Sequence, residues 1–174
     1  MNFKSLTEKI QRALPFKETT KLNLILKAFG IFKIPLILFV NPKALELTDE
    51  RSEIRIPLNY RTQNHLGVMY FGALAIGAEL SIALKAVEQI IKSNQKIDFL
   101  FKDFSIQFLK RADGHVHFIS EDVRKVVDLI EEAKTTGSRL EKTFEGYALV
   151  PSSAKPKEKV LSYKLTLSVR NRSL

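Results

Sequence analysis

Residues 68–84 form an almost uninterrupted run of apolar and small side chains, and this run constrains the fold more than any other part of the sequence. A helix that is apolar on all sides is normally buried on all sides, so we predict a buried central helix at about 70–91. Glu79 lies in the middle of the run. An unpaired buried carboxylate usually raises its pKa or finds a hydrogen-bond donor. Glu79 is therefore the first candidate for a functional residue.

The length and composition favour one globular domain over residues 1–174. A chain of 174 residues can bury its own core, and the absence of cysteine excludes disulfides and thiolate metal sites. The first residues lack the apolar segment of a signal peptide. The run 68–84 is shorter than the roughly 20 residues that a membrane span needs. We therefore expect a cytoplasmic protein with no stable membrane insertion.

The formal net charge of +9 would attract polyanions such as nucleic acid, anionic lipid or a phosphorylated cofactor. The lysines and arginines are spread along the chain, however, and form no dense basic run. No helix-turn-helix, aromatic RNA-binding motif or zinc pattern is present in the sequence. A nucleic-acid-binding module is thus suggested by charge alone. We favour a solvated basic surface and expect no nucleic-acid partner.

The first part of the chain predicts an N-terminal helical extension over residues 1–35, followed by two short strands. Amphipathic spacing indicates the helices, and alternation of apolar and polar residues indicates the strands. The expected elements are a helix at 4–14, a helix from Thr19 or Thr20, an apolar segment at 35–42 that is helical or extended, strands at 43–48 and 52–58, and a polar loop at 59–66.

The second part predicts four longer strands with a helical insert at about 121–136. The apolar residues of 99–108 change parity, which a β-bulge near Lys102-Asp103 would reconcile. Asp113-Gly114 is a strong signal for a hairpin turn, and Ser120 is the expected cap of the inserted helix. Runs of strands joined by short turns favour an antiparallel α+β domain. A curved sheet wrapped round the central helix would bury that helix.

The segment from Asn64 to Glu79 resembles the hotdog-fold acyl-CoA thioesterases, in particular the phenylacetate-pathway (PaaI-like) branch. It is most similar to an uncharacterised group of hotdog proteins with an Asn-His-x-Gly signature. The family motif has an asparagine, a glycine three residues on, a His-Gly-Gly that opens the central helix, and an acid seven residues after the last glycine. Asn64, Gly67, Tyr70-Phe71-Gly72 and Glu79 occupy these positions. The resemblance covers about residues 40–170, the expected hotdog core.

The resemblance implies a hotdog fold, a homodimer or homotetramer with active sites at the dimer interface, and an acyl-CoA thioester as substrate, with no cofactor and no metal. Glu79 would act as general base or nucleophile, and Asn64 of the partner subunit would hold the attacking water or the acyl group. The N–H of Phe71 would form the oxyanion hole, because a helix start offers free N–H donors. The other expected substrate-binding residues are Tyr70, Gly72 and His65.

The sequence departs from the motif at the start of the central helix. Tyr70-Phe71-Gly72 replaces His-Gly-Gly, so the histidine is lost and Phe71 is expected to narrow the pocket. Glutamate at position 79 replaces the more usual aspartate and places the carboxylate about one methylene further from the backbone. The missing histidine favours a second interpretation, a non-catalytic acyl- or lipid-binding protein of the same fold.

Each candidate residue also has a structural interpretation. Glu79 could be paired across the dimer by Arg61 or Lys85. Asn64 could cap its loop or the helix start, and His65 could form a local hydrogen bond.

Two groups of charged or polar residues have simpler explanations than a binding site. His115 and His117 share one strand face at a metal-like spacing, but no third ligand is evident, so we expect no metal site. A basic group could contact the phosphates of coenzyme A or form a solvated surface; it consists of Lys92, Lys96, Lys102, Lys110 and Arg111.

Overall fold

The fold is described for residues 18–174 of a computed structural model, and the helix expected at 4–14 lies outside this range. The elements in chain order are α1 (Glu18–Phe32), α2 (Pro35–Val40), β1 (Lys43–Leu47), β2 (Ser52–Ile56), α3 (Phe71–Ser93), β3 (Ile97–Phe108), β4 (Val116–Ser120), α4 (Val123–Thr135), β5 (Arg139–Leu149) and β6 (Lys159–Asn171).

Six antiparallel strands form one sheet in the order β1-β2-β4-β5-β6-β3, and the long helix α3 packs against it. This arrangement confirms the predicted hotdog fold. The strand order also corrects one prediction. Strand β3 pairs with β6, whereas β4 pairs with β2 and β5, so Asp113-Gly114 does not close a hairpin. The turn residues instead join strands that lie in different parts of the sheet, because burial of β4 next to β2 outweighs the local turn preference.

The predicted bulge in β3 is confirmed. Phe101 pairs with Leu167 and Asp103 pairs with Thr166, so Lys102 has no partner of its own on β6. The extra residue changes the parity of the side chains on either side of it. Strand β3 forms one edge of the sheet, because β6 is its only neighbour among the described strands.

The concave face of the sheet supplies most of the core beneath α3. Side chains of alternate residues point inward on each inner strand, as the sequence pattern predicted. The inward residues with less than 2% exposure include Ile54, Ile56, Val116, Phe118, Phe144, Leu161, Leu165 and Leu167.

The sheet buries only one side of α3. Other helices bury its remaining sides. Helix α4 lies beside α3 over β5 and β6, with Val126, Leu129 and Ile130 in the same core. On another side, α1 and α2 form a second cluster with β1, β2 and α3; its buried members are Leu22, Leu26, Ile37, Ala44, Ile54, Leu80 and Leu84. None of the helices in residues 18–174 is long and apolar enough to cross a membrane.

Residues 35–42 were predicted to be either helical or extended. The structure shows a helix at Pro35–Val40. Proline suits the first helical positions because its missing N–H would have no partner there. The helix ends at Asn41, which adopts a left-handed conformation with φ 52°. A Cβ at Gly30 would lie 2.8 Å from the Cβ of Leu38, so α1 and α2 pack closely at this glycine.

The start of α4 differs from the prediction, because Ser120 does not cap it. The helix begins at Val123, and Ser120 ends β4. The Ser120 hydroxyl donates to the carbonyl oxygen of Glu145 at 3.0 Å, and Asp122 Oδ2 accepts from the N–H of Glu145 at 2.9 Å. These side chains join the β4–α4 connection to β5, and this long-range bonding displaces the local cap.

The rotation of α3 about its axis is fixed by two contacts with the sheet. The Ser81 hydroxyl lies 2.7 Å from the buried Tyr163 hydroxyl of β6, and Gly77 lies against the ring of Phe118. Two residues along a helix correspond to a rotation of about 200°. Glu79 therefore points away from the sheet when Ser81 points towards it.

Gly77→Ala is expected to destabilise the fold. An added Cβ would lie 2.2 Å from Cε2 of the buried Phe118, so the ring or the helix must shift. Overpacking of this kind costs about 1–3 kcal/mol, which exceeds the helix-propensity gain of about 1 kcal/mol for alanine. Urea denaturation should show a lower midpoint. Gly137→Ala is the matched control, because its added Cβ meets nothing closer than 3.6 Å and should leave the midpoint unchanged.

Candidate functional site

Glu79 lies in the wall of an apolar cavity of about 340 Å³. The cavity is lined by α1 and α2 on one side, by α3 on another, and by the start of β3. Glu79 and Lys33 are the only charged residues among those described in its lining. The remaining lining residues are Ile25, Leu26, Phe29, Ile34, Ile37, Leu80, Ala83, Leu84, Val87, Phe99, Leu100 and Phe101.

The carboxylate of Glu79 makes no hydrogen bond and no ion pair with any residue from 18 to 174. Burial among apolar side chains raises the pKa of Glu79, because the charged form loses its hydration. The sequence predicted this pKa shift for an unpaired acid on the central helix. A carboxylate with a raised pKa and a free lone pair can accept a proton from a bound water near neutral pH.

The two cations proposed as structural partners of Glu79 are engaged elsewhere in the subunit. Lys85 Nζ lies 3.0 Å from Asp49 Oδ1 and 3.0 Å from Glu88 Oε2. Arg61 Nε donates to the Tyr60 hydroxyl at 2.9 Å. Within one subunit, therefore, neither side chain neutralises Glu79.

The amino terminus of α3 presents three backbone donors. The helix begins at Phe71, and Leu74 is the first residue whose N–H is bonded, to the carbonyl oxygen of Tyr70 at 3.1 Å. The N–H groups of Phe71, Gly72 and Ala73 have no hydrogen-bond acceptor in the part of the chain that the structure describes. Such groups stabilise developing negative charge, as the oxyanion prediction for Phe71 requires.

Two aromatic side chains stand at this helix start. The rings of Tyr70 and Phe71 are 4.6 Å apart between centroids, and Phe71 is 60% exposed. A Cβ at Gly72 would lie 2.7 Å from Cε1 of Tyr70, so glycine allows the tyrosine ring to lie against the backbone. The narrowing of the pocket by Phe71 stays a prediction, and the structure shows its ring exposed beside Tyr70 at the start of α3.

Asn64 organises the loop that leads into α3. Its Oδ1 accepts from the N–H of Leu66 at 2.9 Å, and its backbone N–H donates to the carbonyl oxygen of Val68 at 2.8 Å. Gly67 closes the turn with φ 76°, a conformation that favours glycine. The predicted loop-capping role of Asn64 is thus confirmed. The Nδ2 donors of Asn64 have no acceptor among residues 18–174, so they are open to another group.

Most of the other predicted site residues gather round a second cavity of about 300 Å³ at the start of α3. It is lined by Asn64, His65, Val68, Met69, Tyr70, Phe71, Leu74, Phe108, Lys110, Arg111 and Ala112. No residue lines both this cavity and the Glu79 cavity. Phe71 and Glu79 are eight residues apart on α3, which corresponds to about 12 Å along the axis. The structure therefore places Glu79 and the amide donors at the start of α3 in two separate cavities of the same chain.

Most of the basic residues considered for coenzyme A binding have acidic partners. Lys92 pairs with Glu88, Lys102 with Glu141, and Lys110 with Glu158. In contrast, Arg111 and Lys96 make no ion pair with the described residues. Lys110 and Arg111 border the second cavity, so their position is the one most suited to phosphate binding.

The two histidines of β4 and its approach have hydrogen-bond partners within the sheet. His115 Nδ1 accepts from the N–H of Leu58 at 3.0 Å, and His117 Nδ1 lies 2.6 Å from Glu53 Oε1. Across residues 18–174, no group of three or more histidine, aspartate or glutamate side chains could hold a metal ion.

Helices α1 and α2 supply a cavity wall that the sequence did not predict. Ile25, Leu26 and Phe29 follow helical spacing, and that spacing predicted an apolar face of α1. The spacing gave no indication that this face lies opposite Glu79, because the contact joins segments about 50 residues apart in the chain.

Solved structures share this fold over most of the chain. A candidate thioesterase from Shewanella oneidensis superposes with a TM-score of 0.70 at 15% identity, covering 86% of this chain and 97% of that chain. A protein of unknown function from Chlorobaculum tepidum gives 0.72 at 11% identity, with coverage of 87% and 96%. A thioesterase from Haemophilus influenzae gives 0.63 at 13% identity, with coverage of 90% and 93%. These likenesses confirm the hotdog fold.

The sequence profile of a domain of unknown function (DUF4442) matches residues 23–141. Because this match covers more than half of the chain, the protein belongs to the DUF4442 family. The matched region includes most of α1 and all of α2, so the wall of the Glu79 cavity lies within the family domain. The comparison with curated proteins gave no match.

Proposed function

We propose that the protein hydrolyses acyl-CoA thioesters with Glu79 as general base or nucleophile. The observation that carries this proposal is an unpaired carboxylate, its pKa raised by burial, in the wall of an apolar cavity large enough for an acyl chain. Hotdog structures that bear the name thioesterase share the fold and support the reaction class.

In the proposed reaction, the Glu79 carboxylate takes a proton from a water molecule as that water attacks the thioester carbonyl carbon. The carbonyl oxygen becomes an oxyanion, which the free N–H groups at the start of α3 stabilise. The C–S bond then breaks, and the coenzyme A thiolate leaves and takes up the proton. Asn64 holds the water or the acyl group through its Nδ2 donors.

Two subunits are needed to complete this site, because the acid and the amide donors of one subunit are about 12 Å apart along α3. Strand β3 forms a free edge of the sheet and exposes Leu100, Phe104 and Phe108. A free apolar edge is a template for pairing with another chain. We propose a homodimer in which two β3 strands pair antiparallel about a twofold axis.

Such a pairing brings opposite ends of the two β3 strands together. Phe99 and Phe101 border the Glu79 cavity, whereas Phe108 borders the cavity that contains Asn64 and Phe71. Antiparallel pairing centred near residues 103–104 would place the first cavity of one subunit beside the second cavity of its partner. The dimer would thus join each acid to the oxyanion donors of the other subunit. Two dimers could associate further as a homotetramer.

The coenzyme A part of the substrate would lie over the second cavity, where Lys110 and Arg111 can meet its phosphates. Tyr70, Gly72 and His65 would bind the segment near the thioester. The reaction needs no metal and no further cofactor. We propose the cytoplasm as the place of action, because a chain without cysteine suits a reducing compartment.

The pH dependence of hydrolysis tests the role of Glu79. A general base works in its ionised form, so kcat/KM is expected to fall as the pH falls through the pKa of Glu79. Because burial raises this pKa, the loss should occur at higher pH than for an exposed glutamate, whose pKa is about 4.3. Steady-state rates on a medium-chain acyl-CoA across this range are the measurement. A rate that stays constant down to pH values near 4 while the protein remains folded would contradict the assignment.

A non-catalytic acyl- or lipid-binding protein is the second candidate function. The side chain of Phe71 favours it, because this bulky ring stands at the helix start where the thioester carbonyl must approach. Native mass spectrometry of the purified protein separates the two functions. A retained fatty acid or acyl-CoA together with no turnover supports binding alone, whereas release of free coenzyme A supports hydrolysis.

A further inference from the structure

The Glu79 cavity has an elongated lining that indicates which acyl group it accepts. On α3 the lining residues are Glu79, Leu80, Ala83, Leu84 and Val87, a single stripe along one face of the helix. Val87 lies eight residues after Glu79, so this stripe is about 12 Å long. On α1 the lining residues are Ile25, Leu26 and Phe29, and Lys33 and Ile34 follow directly after the end of this helix.

We propose that the cavity binds an unbranched, saturated acyl chain of about ten carbons, and that the end of the α3 stripe at Val87 limits the length of this chain. This inference rests on the proposed function, because the thioester carbon must lie at Glu79 for the chain to extend along α3 towards Val87. An extended chain advances about 3.6 Å for every three bonds, so a length of about 12 Å holds about ten bonds.

The chemistry of the lining selects an alkyl chain over a polar acyl group. Beyond Glu79, every described lining residue of α3 and β3 is apolar, so a hydroxyl or carboxylate placed against this wall would find no hydrogen-bond partner there; the other charged lining residue, Lys33, follows the end of α1. Each methylene buried in such a cavity tightens binding about fourfold. Affinity should therefore rise steadily with chain length and level off once the chain reaches the end of the cavity near Val87.

Val87 is the specificity-determining residue that tests this proposal. It lies two turns from Glu79 and is only partly buried, so a change of size there is tolerated better than at the buried Ala83. Val87→Phe fills the far end of the cavity and should weaken decanoyl-CoA binding at least about tenfold, while short chains are unaffected. Val87→Ala extends the cavity and should tighten dodecanoyl-CoA binding by about fourfold. Gln89→Phe is the matched control, because it adds the same ring at a position outside the cavity lining.

The experiment measures dissociation constants for straight-chain acyl-CoAs from butanoyl to hexadecanoyl by titration calorimetry. The full-length protein carries Glu79→Gln in every case, so that binding is read without turnover. The proposal is supported if affinity stops rising near ten carbons in the parent, at shorter chains in Val87→Phe and at longer chains in Val87→Ala. A chain-length dependence that is absent, or that is identical in the Val87 variants and the Gln89→Phe control, overturns it.

The two proposals fail in different ways. If the parent protein binds the series with the expected limit in chain length but hydrolyses none of its members, hydrolysis is wrong and the chain-length assignment stands. If hydrolysis proceeds with no such limit in binding, the cavity assignment is wrong and the reaction stands. Should Val87→Phe not fold, Val87→Ala decides the test alone.

Discussion

Glu79→Gln is expected to lower acyl-CoA hydrolysis by a factor of about 10²–10⁴, the usual contribution of a positioned general base. Glutamine keeps the size of the side chain and its acceptor oxygen but cannot take up a proton. The effect should be on kcat, because the cavity and its apolar lining are unchanged. A variant as active as the parent protein would exclude Glu79 from the chemistry.

The same substitution is expected to stabilise the protein at pH 7. The pKa of Glu79 is raised in the folded state, so the folded protein holds this proton more tightly than the unfolded chain does. The stability linked to that proton is present below the ordinary pKa of glutamate and is lost as the pH rises through the raised pKa. At pH 7 the acidic group of Glu79 therefore lowers the stability of the fold, and glutamine removes this ionisable group.

We expect a gain of about 1 kcal/mol from Glu79→Gln, or roughly 2–4 °C in the melting temperature. Glu88→Gln is the matched control on the same helix. Glu88 pairs with Lys85 and Lys92, so its loss should lower the melting temperature and leave hydrolysis intact. Scanning calorimetry at pH 7 gives the two shifts. If Glu79→Gln were destabilising, a structural carboxylate with a partner in the assembly would be the better explanation.

The sequence predicted those parts of the fold that depend on short-range pattern. The alternation of residues 160–170 gave β6, the parity change gave the bulge at Lys102, and the apolar run with one acid gave both α3 and the raised pKa of Glu79. Each of these features follows from the residues within a few positions along the chain.

The predictions at Asp113-Gly114 and at Ser120 were wrong for one reason. Both residues carry strong local preferences, for a hairpin and for a helix cap, but the pairing of β4 with β2 and of Ser120 with Glu145 decides their structure. Local preferences of this kind contribute about 1 kcal/mol and yield to burial of a whole strand.

The sequence predicted individual residues of the candidate site but not their arrangement in space. Sequence analysis named Glu79, Asn64 and Phe71, yet it could not show that they line two different cavities. That separation depends on the pitch of α3 and on the position of α1, which lies more than 40 residues earlier in the chain. Because the two cavities are separate, the proposed dimer can be tested by placing one substitution in each subunit.

A heterodimer of Glu79→Gln with Asn64→Asp is expected to hydrolyse acyl-CoA although each variant alone does not. In the proposed dimer each site uses Glu79 of one subunit and Asn64 of the other. The heterodimer therefore has one site with both substitutions and one intact site, and should retain about half of the parent activity. Homodimers of either variant have no intact site, and each should lose activity by about 100-fold or more.

Asn64→Asp is the suitable change at its position because it keeps the loop intact. An aspartate oxygen can still accept from the N–H of Leu66, whereas the Nδ2 donors that would hold the water or the acyl group are removed. Coexpression with two affinity tags and successive purification on both give the heterodimer free of homodimers. The control is a doubly tagged dimer with Glu79→Gln in both subunits, which should stay inactive.

The same heterodimer separates the composite site from a site within one subunit. If Glu79 and Asn64 of the same subunit acted together, every site of the heterodimer would carry one substitution and the activity would be as low as in the homodimers. Glu79 lies about 12 Å along α3 from Phe71, and Asn64 lines the same cavity as Phe71 but not the Glu79 cavity, which argues against that arrangement. Recovery of about half of the activity therefore requires that each site takes Glu79 from one subunit and Asn64 from the other, which is the arrangement that pairing of two β3 edges would produce.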